Sequence, residues 1–315
     1  MLLPTSTVFE SGPLDLERGG RLERLAVAYE TWGRLDADGG NAILIAHGYT
    51  SNPHAAGPGG WWEPLIGPGR AIDTDRWFVV CSNMIGSAYG SSGPVRGQPF
   101  PDIETGDMVA AQHRLLEHLG VGQLAAVVGF SYGGHLTFEW GSRHPERMRA
   151  LVPVATGIAS RMGEERALAL EARFAGLDDP TGELERLRFE TLERYGDLDW
   201  FSDRLGSREA GRRKVEALAR KWAREFTPES LIVLARAAAR FDARPRADAI
   251  RAPLLYVLSR SDVLFTPALA EPTLALLGPS ASYFEIDSPY GHRAPSHDWA
   301  KWATPLAEFL ATHAG

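Results

Sequence analysis

The sequence has little of what marks disulfide-stabilised, zinc-binding or membrane-spanning proteins. Its 315 residues include a single cysteine, Cys81, which excludes an intrachain disulfide and a zinc site built on cysteines. No stretch approaches the roughly 20 apolar residues of a membrane span. Residues 1–20 lack the basic and apolar regions of a signal peptide. We therefore expect a cytoplasmic protein that does not act at a membrane.

The sequence also has fewer basic than acidic residues. Lys and Arg number 33 against 40 Asp and Glu, which gives a formal net charge of −7 at pH 7. Binding to a phosphate backbone usually needs a surplus of basic residues, so nucleic acid is not an expected partner. Hydrophobic residues make up 44% and charged residues 23%, which is typical of a globular protein with a large core.

Short apolar runs alternate with helical patterns in the first half of the chain. Strands are predicted at 25–31, 41–47, 77–81, 124–129 and 150–154, and helices at 108–119 and 133–144. The strand pattern returns at 253–258 and 282–286. Such alternation indicates an α/β protein with a mostly parallel central sheet and helices on both faces.

The stretch between the two sets of strands is rich in Arg, Glu, Ala and Leu. Amphipathic helices are predicted there at 165–177, 182–195, 211–226 and 230–241. We interpret 1–157 and 247–315 as the core and 158–246 as a helical insertion. These helices either decorate the sheet or cap a ligand pocket. The cap is favoured because the loops at the carboxyl edge of such sheets usually build the ligand site.

Residues 129–133 read Gly-Phe-Ser-Tyr-Gly and fit the pattern G-x-S-x-G between a predicted strand and a predicted helix. In that context the motif predicts the α/β-hydrolase fold, in which a tight turn lifts the Ser131 hydroxyl out of the sheet. A serine at this turn indicates acyl transfer through an acyl-serine intermediate. The alternative is a glycine-rich turn with an incidental serine.

A serine nucleophile needs a histidine base and an acid that orients the base, in the chain order Ser, Asp or Glu, His. Asp262 and His292 each follow a predicted strand and are the predicted partners of Ser131. Asp287, which directly ends the last strand, is the fallback acid. Other histidines fit less well because they lie on predicted helices or lack a preceding strand: His113, His118, His135, His144 and His297.

The oxyanion of an acyl-transfer reaction needs backbone donors near the nucleophile. The N–H groups of Tyr49, in the loop after the strand 41–47, and of Tyr132 are the predicted donors. His47 is interpreted as a buried residue that braces this loop. The sequence contains no phosphate loop and no dinucleotide fingerprint, and its histidine spacing does not suggest a metal site. No metal or resident cofactor is expected.

Several long segments carry a specific resemblance. They are YETWGRLDADGGNAILIAHGYTSNPHAAG, GFSYGGHLTFEWGSRHPERMRALVPVATG, SDVLFTP and SPYGH. These segments resemble the homoserine O-acetyltransferase family of α/β-hydrolase-fold enzymes over residues 25–157 and 225–292. The resemblance implies the same three catalytic side chains and the same two oxyanion donors. It also implies acyl-CoA as co-substrate, a hydroxyl acceptor and a homodimer formed through the cap.

The departures from the family pattern fall around the acceptor. The family usually reads Gly-His-Asp at the base, and that aspartate is implied to hold the amino group of homoserine. Here Arg293 stands in its place. A guanidinium would repel an amino group, by at most ~4 kcal/mol at ~4 Å, unless another acid such as Asp298 compensates. Phe130 adds bulk where the family has glycine, so Arg293 and Phe130 are both predicted to contact substrate.

These departures from the family pattern determine which reaction we expect. We expect hydrolysis of a small carboxylic ester, with water attacking acyl-Ser131, because the machinery for the acyl-enzyme is intact and the amino-acid acceptor site is altered. The alternative is an O-acyltransferase that moves an acetyl or short acyl group from acyl-CoA to a homoserine-type or other hydroxyl. The third hypothesis is a non-catalytic binding protein on the same fold.

Overall fold

The computed structural model describes residues 2–3 and 5–315. The strands are β1 Thr7–Ser11, β2 Leu14–Leu16, β3 Gly20–Leu22, β4 Leu25–Trp32, β5 Ala42–Ala46, β6 Ile66–Gly67, β7 Ile72–Asp73, β8 Phe78–Ser82, β9 Leu124–Phe130, β10 Met148–Val154, β11 Leu254–Ser259 and β12 Ala281–Ile286. The helices are α1 Thr105–His118, α2 Tyr132–Arg143, α3 Glu164–Phe174, α4 Thr181–Tyr195, α5 Asp197–Leu205, α6 Arg208–Ala223, α7 Pro228–Ala239, α8 Ala270–Leu277, α9 Ala294–His297 and α10 Ala300–His313.

Eight strands form one sheet in the order β1-β4-β8-β5-β9-β10-β11-β12. The β1–β4 and β4–β8 pairs are antiparallel, and every neighbouring pair from β8 to β12 is parallel. The central strands β5 and β9 are buried along their whole length, as expected for parallel strands covered on both faces. The predicted mostly parallel sheet is confirmed.

Alternate residues of each central strand enter opposite hydrophobic clusters. Leu44 of β5 packs in a cluster with side chains of α1 and α2. Ile43 and Ile45 pack on the other face with Trp302 and Leu306 of α10. Because side chains alternate along a strand, one short apolar run supplies both cores. The sheet is thereby fixed between two helical layers, and its carboxyl edge holds the loops after β5, β9, β11 and β12.

The predicted strands lie within two residues of the observed ones, whereas the shorter elements are not evident in the sequence. The five helices α3–α7 lie between β10 and β11. One of them, α5, follows Gly196 directly, and the left-handed φ of 99° at this glycine ends α4. In the described part of the chain, no helix has both the length and the hydropathy that crossing a membrane requires.

Candidate active site

Ser131 occupies the tight turn between β9 and α2. Its φ of 56° and ψ of −114° are a conformation that side-chain-bearing residues rarely adopt. A Cβ on Gly129 would lie 2.0 Å from the carbonyl oxygen of Gly133, and a Cβ on Gly133 would lie 1.9 Å from that of Ala46. Since any side chain would clash there, the two glycines make the turn possible and so place the Ser131 hydroxyl at the carboxyl edge of the sheet.

A continuous hydrogen-bonded chain links Ser131, His292 and Asp262. Nε2 of His292 lies 2.8 Å from Oγ of Ser131, and Nδ1 lies 2.8 Å from Oδ2 of Asp262. A carboxylate only accepts hydrogen bonds, so Nδ1 carries the proton and Nε2 is left to accept from the Ser131 hydroxyl. His292 and Asp262 are 1% and 2% exposed, so water does not compete for these bonds. The structure brings the three predicted side chains together.

The Asp262 carboxylate is itself fixed by the backbone. Oδ1 accepts hydrogen bonds from the N–H groups of Leu264, at 2.8 Å, and Phe265, at 3.2 Å. Oδ2 is therefore the oxygen that faces His292. The fallback acid, Asp287, lies on the surface and forms an ion pair with Arg260 at 3.0 Å.

The Tyr49 and Tyr132 side chains are anchored on the same helix. The Tyr49 hydroxyl donates to the Leu231 carbonyl and the Tyr132 hydroxyl to the Leu234 carbonyl, both in α7. Their rings stack with centroids 5.9 Å apart. Neither backbone N–H donates a hydrogen bond to any residue in 2–3 or 5–315. Both amides are therefore available to an oxyanion.

A cavity of about 440 Å³ opens onto Ser131. Its wall is built by the core around the nucleophile, by residues 160–173 leading into and along α3, by residues 187–195 of α4, and by the loop 263–265. Helices from the stretch after β10 therefore enclose the space in front of the serine. Among the residues described, no group of three or more His, Cys, Asp or Glu side chains is suited to hold a metal ion.

The comparisons with known proteins agree with this geometry. A model described as the alpha/beta hydrolase fold matches residues 41–295. A homoserine O-acetyltransferase of Geobacter sulfurreducens is 36% identical, and the match covers 97% of this chain and 96% of the relative. The chain belongs to the homoserine O-acetyltransferase-like family of α/β-hydrolase-fold enzymes. The resemblance found in the sequence is confirmed.

Two further comparisons concern a second named transferase and a solved structure with the same fold. A serine O-succinyltransferase of Xanthomonas campestris is 33% identical over 98% of both chains. The crystal structure of esterase E22 superposes with a TM-score of 0.86, covers 97% of this chain and 99% of its own, and is 21% identical. At that identity the second likeness establishes the fold alone. The two named transferases are more similar to this chain in sequence than this esterase is.

Arg293, which stands where the resemblance implies an aspartate, is paired with a buried acid. Its Nε lies 3.4 Å from Oδ1 of Asp197, a residue of α5 that is 3% exposed. Nε2 of His297 lies 3.0 Å from the same oxygen. Burial alone would raise the pKa of the Asp197 carboxyl, but Arg293 and His297 hold it below its ordinary value. Asp197 thus neutralises the guanidinium, and the repulsion expected from the sequence is weaker than predicted.

The compensating acid differs from the one that the sequence suggested. Asp298 lies 3.1 Å from Lys301 and forms an ion pair with it. Phe130 packs its ring against His292, with centroids 5.1 Å apart, and against Trp62. Neither Phe130 nor Arg293 is part of the cavity wall. Their contact with substrate stays a prediction, while the packing of Phe130 holds the His292 ring in place.

Three kinds of residue that line the cavity are absent from the sequence-based predictions. His135 lies on a predicted helix, Tyr195 carries no motif, and the arginines belong to amphipathic helices. Helical spacing holds one usable signal, since His135 is four residues after Ser131 and therefore lies on the same side of α2. The positions of Tyr195 and the arginines depend on how α3 and α4 fold over the core.

Two buried histidines in this region are held neutral. Burial lowers the pKa of His47 to about 4 and that of His135 to about 3. In the unfolded chain both return to an ordinary pKa of about 6.5. Their contribution to stability is therefore complete above about pH 6.5 and is lost as the pH falls towards 4, because the unfolded state then binds more protons.

We expect acid destabilisation with a measurable share from His135. Between about pH 6 and pH 4 the free energy of unfolding should fall by about 1.4 kcal/mol per pH unit for each such histidine. Urea unfolding at several pH values in this range measures the slope for the wild type and for His135→Phe. The variant should show the shallower slope. Equal slopes would mean that His135 is not kept neutral by folding.

Proposed function

We propose that the protein is an O-acyltransferase that takes an acyl group from acyl-CoA onto Ser131 and passes it to a hydroxyl acceptor. The observation that carries this proposal is the hydrogen-bonded chain from Ser131 through His292 to Asp262 at the base of the cavity. The choice of transfer rests on the relatives at 33–36% identity, which are named as O-acyltransferases.

In the first half-reaction, His292 Nε2 takes the Ser131 proton as Oγ attacks the thioester carbonyl carbon. The developing oxyanion accepts hydrogen bonds from the N–H groups of Tyr49 and Tyr132. The C–S bond then breaks, and the imidazolium of His292 returns its proton to the leaving CoA thiolate. The product of this step is acyl-Ser131 and free CoA.

In the second half-reaction, neutral His292 removes the proton from the acceptor hydroxyl as its oxygen attacks the acyl-serine. The same two amides hold the second oxyanion. Collapse of this intermediate breaks the bond to Oγ, and His292 protonates Ser131 again. The Asp262 carboxylate accepts the hydrogen bond from Nδ1–H of His292 throughout and so holds the ring in its orientation.

The helical insertion 158–246 is proposed to act as the cap of this site. Transfer to an alcohol succeeds only if water is kept away from the acyl-enzyme. Side chains of α3 and α4 form much of the cavity wall in front of Ser131, which supports this role. A homodimer formed through the cap remains part of the proposal, since members of the family are expected to associate in this way.

Hydrolysis of a small ester is the second candidate because Arg293 stands where the family holds an acceptor's amino group. The ion pair with Asp197 weakens this argument, since a neutralised guanidinium no longer repels an ammonium strongly. The two candidates share the acyl-Ser131 intermediate and differ in the second nucleophile, which is water for the hydrolase and an alcohol for the transferase.

Product analysis on the purified full-length chain separates the candidates. Acetyl-CoA and succinyl-CoA are each supplied with L-homoserine, with L-serine and with no acceptor, and the fate of the acyl group is followed by mass spectrometry. We expect ester formation on an acceptor and slow release of free acid without one. Free acid at the same rate under every condition would identify a hydrolase. If a fluorophosphonate fails to label Ser131, the protein is a non-catalytic member of the fold.

A further inference from the structure

His135 is a buried histidine whose two ring nitrogens have no hydrogen-bond partner among the residues described. The side chain is 3% exposed, stacks on Phe241 at a centroid distance of 4.3 Å, and lines the cavity together with Ser131. A buried polar group without a partner is costly, and native proteins rarely leave one. Since the residue belongs to the wall of the cavity that holds Ser131, we assign a polar group of a ligand as the partner of one ring nitrogen.

The cavity wall also carries excess positive charge, although the chain as a whole carries −7. Its charged side chains are Arg161, Arg166, Arg173, Arg194 and Glu190. Arg173 is neutralised by ion pairs with Glu183 and Glu190. Within the described ranges 2–3 and 5–315, the other three arginines form no salt bridge and no side-chain hydrogen bond. A site of this kind concentrates anions.

Two of these arginines line the cavity together with Tyr195, a residue that contacts His292. Tyr195 lines the cavity, and its ring centroid is 4.7 Å from that of His292. Burial raises the pKa of the Tyr195 hydroxyl, and the charges of Arg166 and Arg194 oppose that rise. Arg166 opposes the rise at Tyr49 in the same way. Both arginines line the same cavity as Ser131, and Arg194 directly precedes Tyr195 in the chain.

We propose that this wall binds the distal carboxylate of a dicarboxylic acyl group, such as a succinyl group, while the other carbonyl carbon is bonded to Ser131. Arg166 and Arg194 supply charge-assisted hydrogen bonds, and His135 supplies an N–H. The inference rests on the acyl-Ser131 intermediate of the proposed function and names the class of acyl group that this intermediate carries.

The carboxylate is assigned to the acyl group rather than to the phosphates of CoA because of its distance from the reacting carbon. In a succinyl thioester the carboxylate is separated from the carbonyl carbon by two methylene groups. The phosphates of CoA are separated from it by the whole pantetheine arm. Because Arg166 and Arg194 line the same cavity as Ser131, they are assigned to the anion with the shorter separation from the reacting carbon.

The test compares donors that differ only in this charge. Succinyl-CoA and butyryl-CoA have acyl chains of equal length and identical CoA phosphates. The 4-nitrophenyl esters of succinate and butyrate repeat the comparison without CoA. The rate of acylation of Ser131 is measured on the full-length chain without acceptor, by quenched-flow mass spectrometry for the thioesters and nitrophenolate release for the esters. The uncatalysed rate of each donor is subtracted.

Two substitutions in the cavity wall are expected to leave the protein folded. Arg166 is exposed, so Arg166→Gln should leave the melting temperature unchanged, and His135→Phe keeps the stacking on Phe241. We expect wild type to favour the succinyl donors. Arg166→Gln should lower their rate by about 10- to 100-fold and leave the butyryl rate nearly unchanged. The matched control is Arg213→Gln, because Arg213 pairs with Glu209 on α6 and lies outside the cavity wall.

Other results of this comparison would assign the arginines to a different anion or separate this proposal from the proposed function. Equal losses for succinyl-CoA and butyryl-CoA in Arg166→Gln would overturn the proposal in favour of CoA phosphates. In the complete reaction with L-homoserine, Arg166→Gln could raise the KM for this acceptor while the ratio of succinyl to butyryl acylation rates stays unchanged. That result would overturn the proposal in favour of the acceptor's carboxylate. A wild-type preference for butyryl donors would overturn it outright. If the esters show the succinyl preference while neither thioester reacts, the carboxylate site stands and the acyl-CoA donor of the proposed function fails.

Discussion

Ser131→Ala is expected to lower kcat for acyl transfer by about 10⁵- to 10⁶-fold while the protein stays folded. The hydroxyl is the only group that the proposed mechanism acylates, and without it His292 has no nucleophile to activate. The remaining amides and cavity still bind the donor, so KM should change far less than kcat. Steady-state kinetics with an acyl-CoA donor measures both constants, and the mass of the intact protein shows whether an adduct forms.

The matched control for this substitution is Ser142→Ala. Ser142 is also buried and belongs to α2, the helix that follows Ser131, but its hydroxyl donates to the Glu139 carbonyl and the residue is not part of the cavity wall. This variant should keep its activity within a few-fold and form the same adduct as wild type. Retained acyl transfer in Ser131→Ala would show that the hydrogen-bonded chain is not the reacting centre.

The parts of the molecule that the sequence predicts well are those fixed by local pattern. Strands β5 and β9 are continuous apolar runs, and the turn at Ser131 needs glycines on both sides for steric reasons that hold in any such turn. Asp262 and His292 were found because parallel strands end at the same edge of a sheet, so the loops after them converge. Chain order together with strand ends was enough to pair them with Ser131.

The parts that the sequence does not predict depend on contacts between distant segments. Asp197 lies at the start of a short helix, and nothing around it in the sequence indicates that it pairs with Arg293. The sequence of α3 and α4 reads as solvated amphipathic helices with paired charges. Only the folded chain shows that Arg166 and Arg194 line the cavity and that, among the residues described, neither forms a salt bridge. The acyl-enzyme machinery is thus evident in local sequence, while substrate selection depends on tertiary packing.

Asp262→Asn tests the orientation of the base and is expected to lower kcat by about 10⁴-fold. Oδ1 of Asp262 accepts hydrogen bonds from the N–H groups of Leu264 and Phe265, so the carbonyl oxygen of an asparagine would take that position. The amide NH₂ would then face Nδ1 of His292 and donate to it. Nδ1 would have to be unprotonated, which moves the imidazole proton to Nε2.

A proton on Nε2 prevents His292 from accepting the Ser131 proton, although every heavy atom stays in place. The loss should therefore appear in the acylation rate, with a melting temperature close to that of wild type. Asp287→Asn is the matched control, because that carboxylate binds Arg260 on the surface, and its acylation rate should be that of wild type. A large loss in Asp287→Asn with none in Asp262→Asn would make Asp287 the orienting acid. A collapse in melting temperature for Asp262→Asn would instead assign the two backbone hydrogen bonds of Asp262 to folding rather than to the orientation of His292.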